Sequence, residues 1–283
     1  SIGRKPVLIL TLLGSSLSYV ILAYAPNLTV VILSRILSGL MAGNVSIAFA
    51  YVTDITDDNN RAAGLGKVSA ALGLGFMTGP AIGGLLAGNT VENANYLLTA
   101  WAAAGINFVA MVAAIVFLKE SLDAKKRKPF EGFSKIVELA TFTPAKSILP
   151  LVSCGLIFYT AMSLMESIFP LWANKIFSYG PSHIGGVFFM LGSLGVIIQG
   201  GLIGRLTNLF GEKKLVQLAA ISLMAGLILI GSATFALSLW IGLFFFGCGT
   251  AMFNPSLSSL ISKSADPTAR GLYLGPYQAA CSM

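Results

Sequence analysis

Charge is what this sequence has least of. Asp, Glu, Lys and Arg make up 10% of its 283 residues, where a soluble domain carries about a quarter. That deficit, with 55% hydrophobic residues, excludes a soluble enzyme and indicates a polytopic helical membrane protein. Cysteine is equally scarce. Cys154, Cys248 and Cys281 sit in apolar runs without C-x-x-C spacing, so neither a disulfide framework nor a zinc site is indicated. The single histidine, His183, follows Gly180-Pro181-Ser182 and reads as a loop residue at a helix start. Nothing in the chain has the spacing of a metal site or a catalytic triad, and no cofactor is expected.

The apolar runs predict helices over 6–25, 28–52, 65–88, 95–118, 148–174, 184–206, 214–235 and 237–262, with a ninth from 271. Each is about long enough to cross a bilayer of roughly 30 Å. Short connections such as Pro26-Asn27 make neighbours antiparallel, so the loops alternate between the two sides of the membrane. All of the 18 basic residues except Arg35 and Lys175 then fall on one side. The positive-inside rule makes that side cytoplasmic, including the N-terminal end of the chain. The net charge of +7 is thereby a topology signal, and nucleic acid is not needed as a partner. The expected partners are the lipid bilayer of the cell membrane and a small-molecule substrate, with the chain a monomer.

Residues 119–147 differ from the other loops. They carry Lys125-Lys126-Arg127-Lys128 and then Phe130, Phe133, Val137 and Ala140 at helical spacing, which predicts a linker with an amphipathic helix on the inner leaflet. The chain divides accordingly into a bundle over 1–118, a linker over 119–147 and a second bundle over 148–283.

The most informative stretch runs from Gly66 to Gly84, GKVSAALGLGFMTGPAIGG. At about 100° per residue, Ala71, Gly75, Gly79 and Gly83 fall near one helical stripe, a ladder of small residues on which another backbone can close. Pro80 has no N–H to offer the carbonyl of Phe76, so a bend is expected beside the ladder. The series Gly66, Gly75, Gly79, Pro80, Gly83 and Gly84 resembles the fifth-helix antiporter motif of the major facilitator superfamily, in its drug/proton antiporter branch. Other stretches are similar to the family too. Ile2-Gly3-Arg4-Lys5 resembles the tail of its cytoplasmic motif, and Arg35, Ser38 and Gly39 match R-x-x-Q-G with serine for glutamine. Ala50 to Thr56, followed by Arg61, looks like the end of the fourth helix in tetracycline-efflux proteins. Leu118-Lys119-Glu120-Ser121-Leu122 resembles L-P-E-S-L, with lysine for proline, and Gly201 to Lys213 is a degenerate echo of the cytoplasmic motif.

The resemblance implies an all-α membrane bundle covering helices 3 to 10 and the start of 11 of a twelve-helix fold, truncated at both ends. It implies secondary transport by alternating access, coupled to a proton gradient, with efflux of drug-like amphiphilic compounds. A facilitator or symporter for a small metabolite is the alternative, as is a receptor or an inactive truncated fragment. An ion pair between Arg4 and Asp54 would form the cytoplasmic gate, as the matching residues do in the family. Arg35, by the same resemblance, would assist proton binding by acidic residues of a first helix.

Two charges lie inside apolar runs, and such residues are functional hypotheses by default. Arg35 shares a stripe with Gly39, Ala42, Gly43 and Ser46, which would bury the guanidinium against the glycine ladder. Glu166 shares a face with Tyr159, Met162 and Ser163. Low dielectric penalises a charged carboxylate, so Glu166 calls for a proton or a cationic partner. The expected proton and substrate pathway therefore comprises Glu166, Arg35, Tyr159 and Asn254, the last on a proline-broken helix, with Gln199 a further residue in reach of the cavity. The orientation is directly testable in a cysteine-free background. Single cysteines at Lys126 and Lys175 should react oppositely with an impermeant reagent, only position 175 from outside; labelling of both from outside would contradict the orientation.

Overall fold

The computed structural model describes residues 3–121 and 149–264, and every regular element among them is helical. The expected amphipathic helix of the 119–147 linker and the segment from 271 onwards lie outside the described residues. In order, the helices are α1 (Arg4–Ala23), α2 (Leu28–Leu40), α3 (Asn44–Ile55), α4 (Asp58–Ala87), α5 (Tyr96–Phe117), α6 (Leu149–Phe177) and α7 (Pro181–Ile197). A π-helical segment, Ile198–Leu202, leads into α8 (Ile203–Gly231), and α9 is Ala236–Ser264. Helix starts follow capping chemistry. Asn27 accepts from the Val30 amide at 3.1 Å and Asn95 from the Leu98 amide at 2.9 Å, each satisfying a donor that the helix cannot.

Two boundaries depart from expectation. The helix expected over 28–52 is interrupted at residues 41–43, where Met41 donates back to Leu37 and Ser38 and Gly43 precedes α3. Glycine lowers helix propensity here, and the Asn44 side chain takes the Val45 amide at 2.8 Å, offering the backbone a local alternative. Conversely, Pro181–Gly231 is a single apolar helical stretch of 51 residues. At about 1.5 Å per residue it would run about 76 Å, more than twice the hydrocarbon thickness. Gly211, at φ 73° and ψ 157°, breaks it. Seven apolar stretches are long enough to cross a membrane among the described residues. With the break at Gly211 they supply the crossings expected over 184–206 and 214–235 separately.

Among the described residues the helices gather into two compact units, one of residues 3–72 and 85–121, the other of 73–84 and 149–264. In the first, α1 is the centre. Its buried serines reach out of the helix, Ser16 Oγ donating to the Ala104 carbonyl of α5 at 2.9 Å and Ser18 Oγ to the Ser34 carbonyl of α2 at 3.1 Å. Serine at such positions lets helices approach while supplying the bonds that hydrocarbon cannot. In the second unit α8 and α9 interlock through glycines. A Cβ on Gly226 would lie 2.5 Å from the Phe246 amide nitrogen, and one on Gly249 would lie 2.8 Å from that of Leu223. Around this pair sit two apolar clusters. One holds Phe158 stacked on Phe253, with Leu257 and Ile261; the other holds Phe169, Val187, Leu239, Leu243 and Phe246.

Besides the division that falls within 119–147, residues 73–84 of α4 group with the second unit, because they pack on α7. A Cβ on Gly185 would lie 2.6 Å from the Pro80 carbonyl oxygen and 3.2 Å from Gly84 Cα, and one on Gly192 would lie 2.6 Å from Met77 Cα. The contact seen here lies off the expected stripe: among the described residues Gly66, Gly75 and Gly79 have nothing within 4 Å of a Cβ. Gly84 lies nine residues beyond Gly75, about half a helical turn away in phase, and that opposite face is the one that closes on α7. Gly185→Ala should therefore destabilise the protein by about 1–3 kcal/mol through overpacking. Gly75→Ala should cost nothing and gain up to about 1 kcal/mol of helix propensity. Thermal unfolding in detergent reads the difference, and equal melting of the two variants would contradict this packing.

Candidate functional site

Glu166 lies near the middle of α6, between Met162 and Met165 on one side and Phe169 on the other. These four residues line a cavity of about 130 Å³ in the second unit. α7 contributes Phe188, Leu191 and Gly192, α9 contributes Phe246 and Thr250, and α4 contributes Phe76. The spacing explains the wall: residues 162, 165, 166 and 169 recur at helical period on one face of α6. Phe169 and Phe246 are held in the apolar cluster around Val187, Leu239 and Leu243. Thr250 Oγ1 donates to the Gly247 carbonyl at 2.9 Å, which leaves its oxygen lone pairs as an acceptor. The lining thus presents one carboxylate and one hydroxyl in a wall of aromatic rings and thioethers. Such a surface favours a ligand that is apolar, polarisable and positively charged.

The other pathway candidates are elsewhere. Tyr159 is half-buried against the cluster of Phe253, Leu257 and Ile261, edge-on to Phe158 at 5.2 Å between ring centres. Asn254 Oδ1 accepts a long 3.4 Å bond from Ser258 within α9. Neither lines the Glu166 cavity, because two turns of α6 separate Tyr159 from Glu166 and one turn of α9 separates Asn254 from Thr250. Gln199 is exposed in the π-helical segment. Arg35 belongs to the first unit and is exposed, and among the described residues its stripe partners Gly39 and Gly43 have nothing within 4 Å of a Cβ. Its guanidinium instead lies 5.8 Å from the ring centre of Tyr19 on α1. A cation over an aromatic face gains attraction without full desolvation, so the arginine needs no buried partner.

At the end of the first unit, Arg4 Nε stands 3.2 Å from Asp54 Oδ2. Two further groups complete this cluster, and only the family-like stretch at 118–122 hinted at them. Glu120 Oε1 accepts from the Arg4 amide at 2.8 Å, capping α1 where Gly3 has no side chain to do so, and Ser121 Oγ donates to Asp54 at 3.1 Å. Lys5 Nζ donates to the Ile115 carbonyl at 2.8 Å, near the end of α5. The start of α1 is thus capped by the segment that follows α5, and the end of α5 by a lysine of α1. Among the described residues no group of three or more His, Cys, Asp or Glu side chains is placed to hold a metal.

The sequence profile of the Major Facilitator Superfamily matches residues 1–283. The chain belongs to this superfamily. Multidrug resistance protein 2 of Bacillus subtilis is 33% identical over 225 residues, covering 78% of this chain and 55% of that protein. Tetracycline resistance protein, class C, of Escherichia coli is 28% identical over 285 residues, covering 99% of this chain and 70% of the relative. The chain thus spans little more than half of the first relative's length. Among solved structures, the human organic anion transporter MFSD10 (TETRAN) superposes with a TM-score of 0.70 at 24% identity, over all of this chain and 69% of that one. A D-xylose-proton symporter superposes with a TM-score of 0.73 at 14% identity, over 99% of this chain and 71% of the other. At these identities the structural likeness shows the fold, which is part of the superfamily's helical bundle. The protein is a multi-pass membrane protein of a transporter family.

The Arg4–Asp54 pair is partly solvent-exposed, with side chains 36% and 24% accessible, so screening limits its worth. A double-mutant cycle with Arg4→Gln and Asp54→Asn should return a coupling of about 0.2–1 kcal/mol in detergent melting. Strict additivity would show that the contact contributes nothing.

Proposed function

We propose that the protein is a secondary transporter that exports lipophilic, drug-like cations by alternating access, with Glu166 as the group for which proton and substrate compete. The observation that carries this reading is a lone carboxylate in a wall of phenylalanine and methionine. In hydrocarbon surroundings a bare carboxylate is penalised, so the site is occupied by a proton or by a cationic ligand. Binding of one displaces the other, and coupling follows from that competition without any direct contact between them. The membrane proton gradient is the driving force, no cofactor takes part, and the protein works as a monomer with the N-terminal end of the chain cytoplasmic. The Arg4–Asp54 cluster steadies one arrangement of the first bundle at its cytoplasmic end. The glycine motif and the names of the relatives support efflux over uptake. A symporter for a polar metabolite finds less support, because such a ligand needs several hydrogen-bonding groups and the lining offers two polar side chains.

Glu166→Gln in the whole protein should abolish pH-driven export of cations while leaving neutral compounds exported. Proteoliposomes loaded with a cationic and a neutral dye distinguish the two. Parental rates and pH dependence for the cation would remove Glu166 from the coupling mechanism.

A further inference from the structure

The cavity beside Glu166, at about 130 Å³, has room for about four water molecules, whereas sites for drug-sized ligands occupy about 300 Å³ or more. Some wall must move, and the walls are not equally free. Phe169 and Phe246 are each 3% exposed and packed into the cluster of Val187, Leu239 and Leu243, so displacing either would open the core. Gly192 is pinned by Met77, whose Cα a Cβ would meet at 2.6 Å. Among the aromatic walls Phe76 on α4 is the exposed one, lining the cavity while 77% accessible, and Glu166 itself is exposed beside it. The residues that flank it at helical spacing are Leu72, Gly73, Gly79 and Pro80. Helical side chains lean back over the residues three and four before them. Gly73 therefore puts nothing beneath the Phe76 ring, and Gly79 puts nothing over it. Gly79 has no atom within 4 Å of a Cβ, and Gly73 only a methyl of Val196 at 4.0 Å. Among the described residues no helix covers Gly79, so the cavity-lining ring has room to move on the Gly73 and Gly79 side, with Leu72 and Pro80 bounding the other.

We propose that Phe76 is the movable wall of the Glu166 cavity, its ring swinging aside to admit large cations and returning to close on small ones, so that this residue sets the size selectivity. The proposal rests on the reading of that cavity as the substrate site. Small cations gain from the ring in its present position, since an aromatic face attracts positive charge. Large ones need it displaced.

The test uses the whole protein in proteoliposomes, with tetraethylammonium and tetraphenylphosphonium as small and large probes. Phe76→Ala removes the wall without opening a core cavity and should raise the export ratio of large to small probe by on the order of tenfold. Gly79→Leu should lay a side chain over the ring, hold it in place and lower the same ratio by a similar factor. Opposite shifts are the signature. A ratio unchanged in both variants, or moved in the same direction by both, overturns the proposal. Detergent-stable, monodisperse protein is required of each variant, and Phe76→Leu supplies an intermediate ratio if Gly79→Leu fails this requirement; a Phe76→Leu ratio outside the range between parent and Phe76→Ala also overturns it. Glu166→Gln is measured in parallel. Cation export lost in that variant with flat ratios in the others rejects Phe76 alone. Cation export unaffected by Glu166→Gln with shifted ratios rejects the site reading alone.

Discussion

The close approach of one backbone to another at glycine is the contact on which the second unit depends. Hydrocarbon offers no hydrophobic reward for bringing helices together, so the attraction comes from van der Waals packing, which falls away within an ångström of separation. Gly226 and Gly249 let α8 and α9 close to that distance, and Gly185 and Gly192 let α7 take the 77–84 face of α4. Those contacts fix where α6, α7 and α9 present their inward faces, and so fix the cavity beside Glu166. Where serine replaces glycine, as along α1, a side-chain-to-carbonyl bond supplements the same packing. A cavity lined in this way has rigid sides wherever backbones touch and a soft side wherever an aromatic ring stands alone.

Helices were the most legible features, because their period is local. The expected starts at 28 and 95 coincide with helices that Asn27 and Asn95 cap in the structure. The gap left between 206 and 214 contains Gly211, whose positive φ breaks a helical stretch too long for one crossing. The α2–α3 interruption was not legible, since apolar composition continues through Met41 while the break depends on backbone bonding around Gly43 and Asn44. Nor could the glycine series by itself say which face of α4 is used. Gly75 and Gly79 form the more regular ladder, yet Gly84 meets α7, and that choice is made by the complementary glycines of a helix a hundred residues away.

The site was legible as chemistry more than as geometry. A lone carboxylate in an apolar run identifies Glu166 from sequence, and its neighbour Met162 follows from helical spacing. Tyr159 lies two turns away on that same helix and packs against a different cluster, the one built on the Phe158–Phe253 stack. Phe76 and Thr250 could not be foreseen, because both come from other helices. Arg35 shows the opposite limitation: its charge is conspicuous in the sequence, but its partner is an aromatic ring on a preceding helix, and aromatic residues are too common in membrane helices to single out one in advance.

The central claim is that Glu166 is the carboxylate shared by proton and cation in an apolar cavity. Hydrophobic carbodiimides react with the protonated form of carboxyl groups that water reaches poorly. Modification of Glu166 in the purified whole protein, followed by mass spectrometry of the α6 peptide, measures that state directly. The account predicts modification at low pH that tetraphenylphosphonium suppresses in a saturable manner, and loss of the signal in Glu166→Gln. Modification that tetraphenylphosphonium leaves untouched, at any concentration and pH, would contradict it.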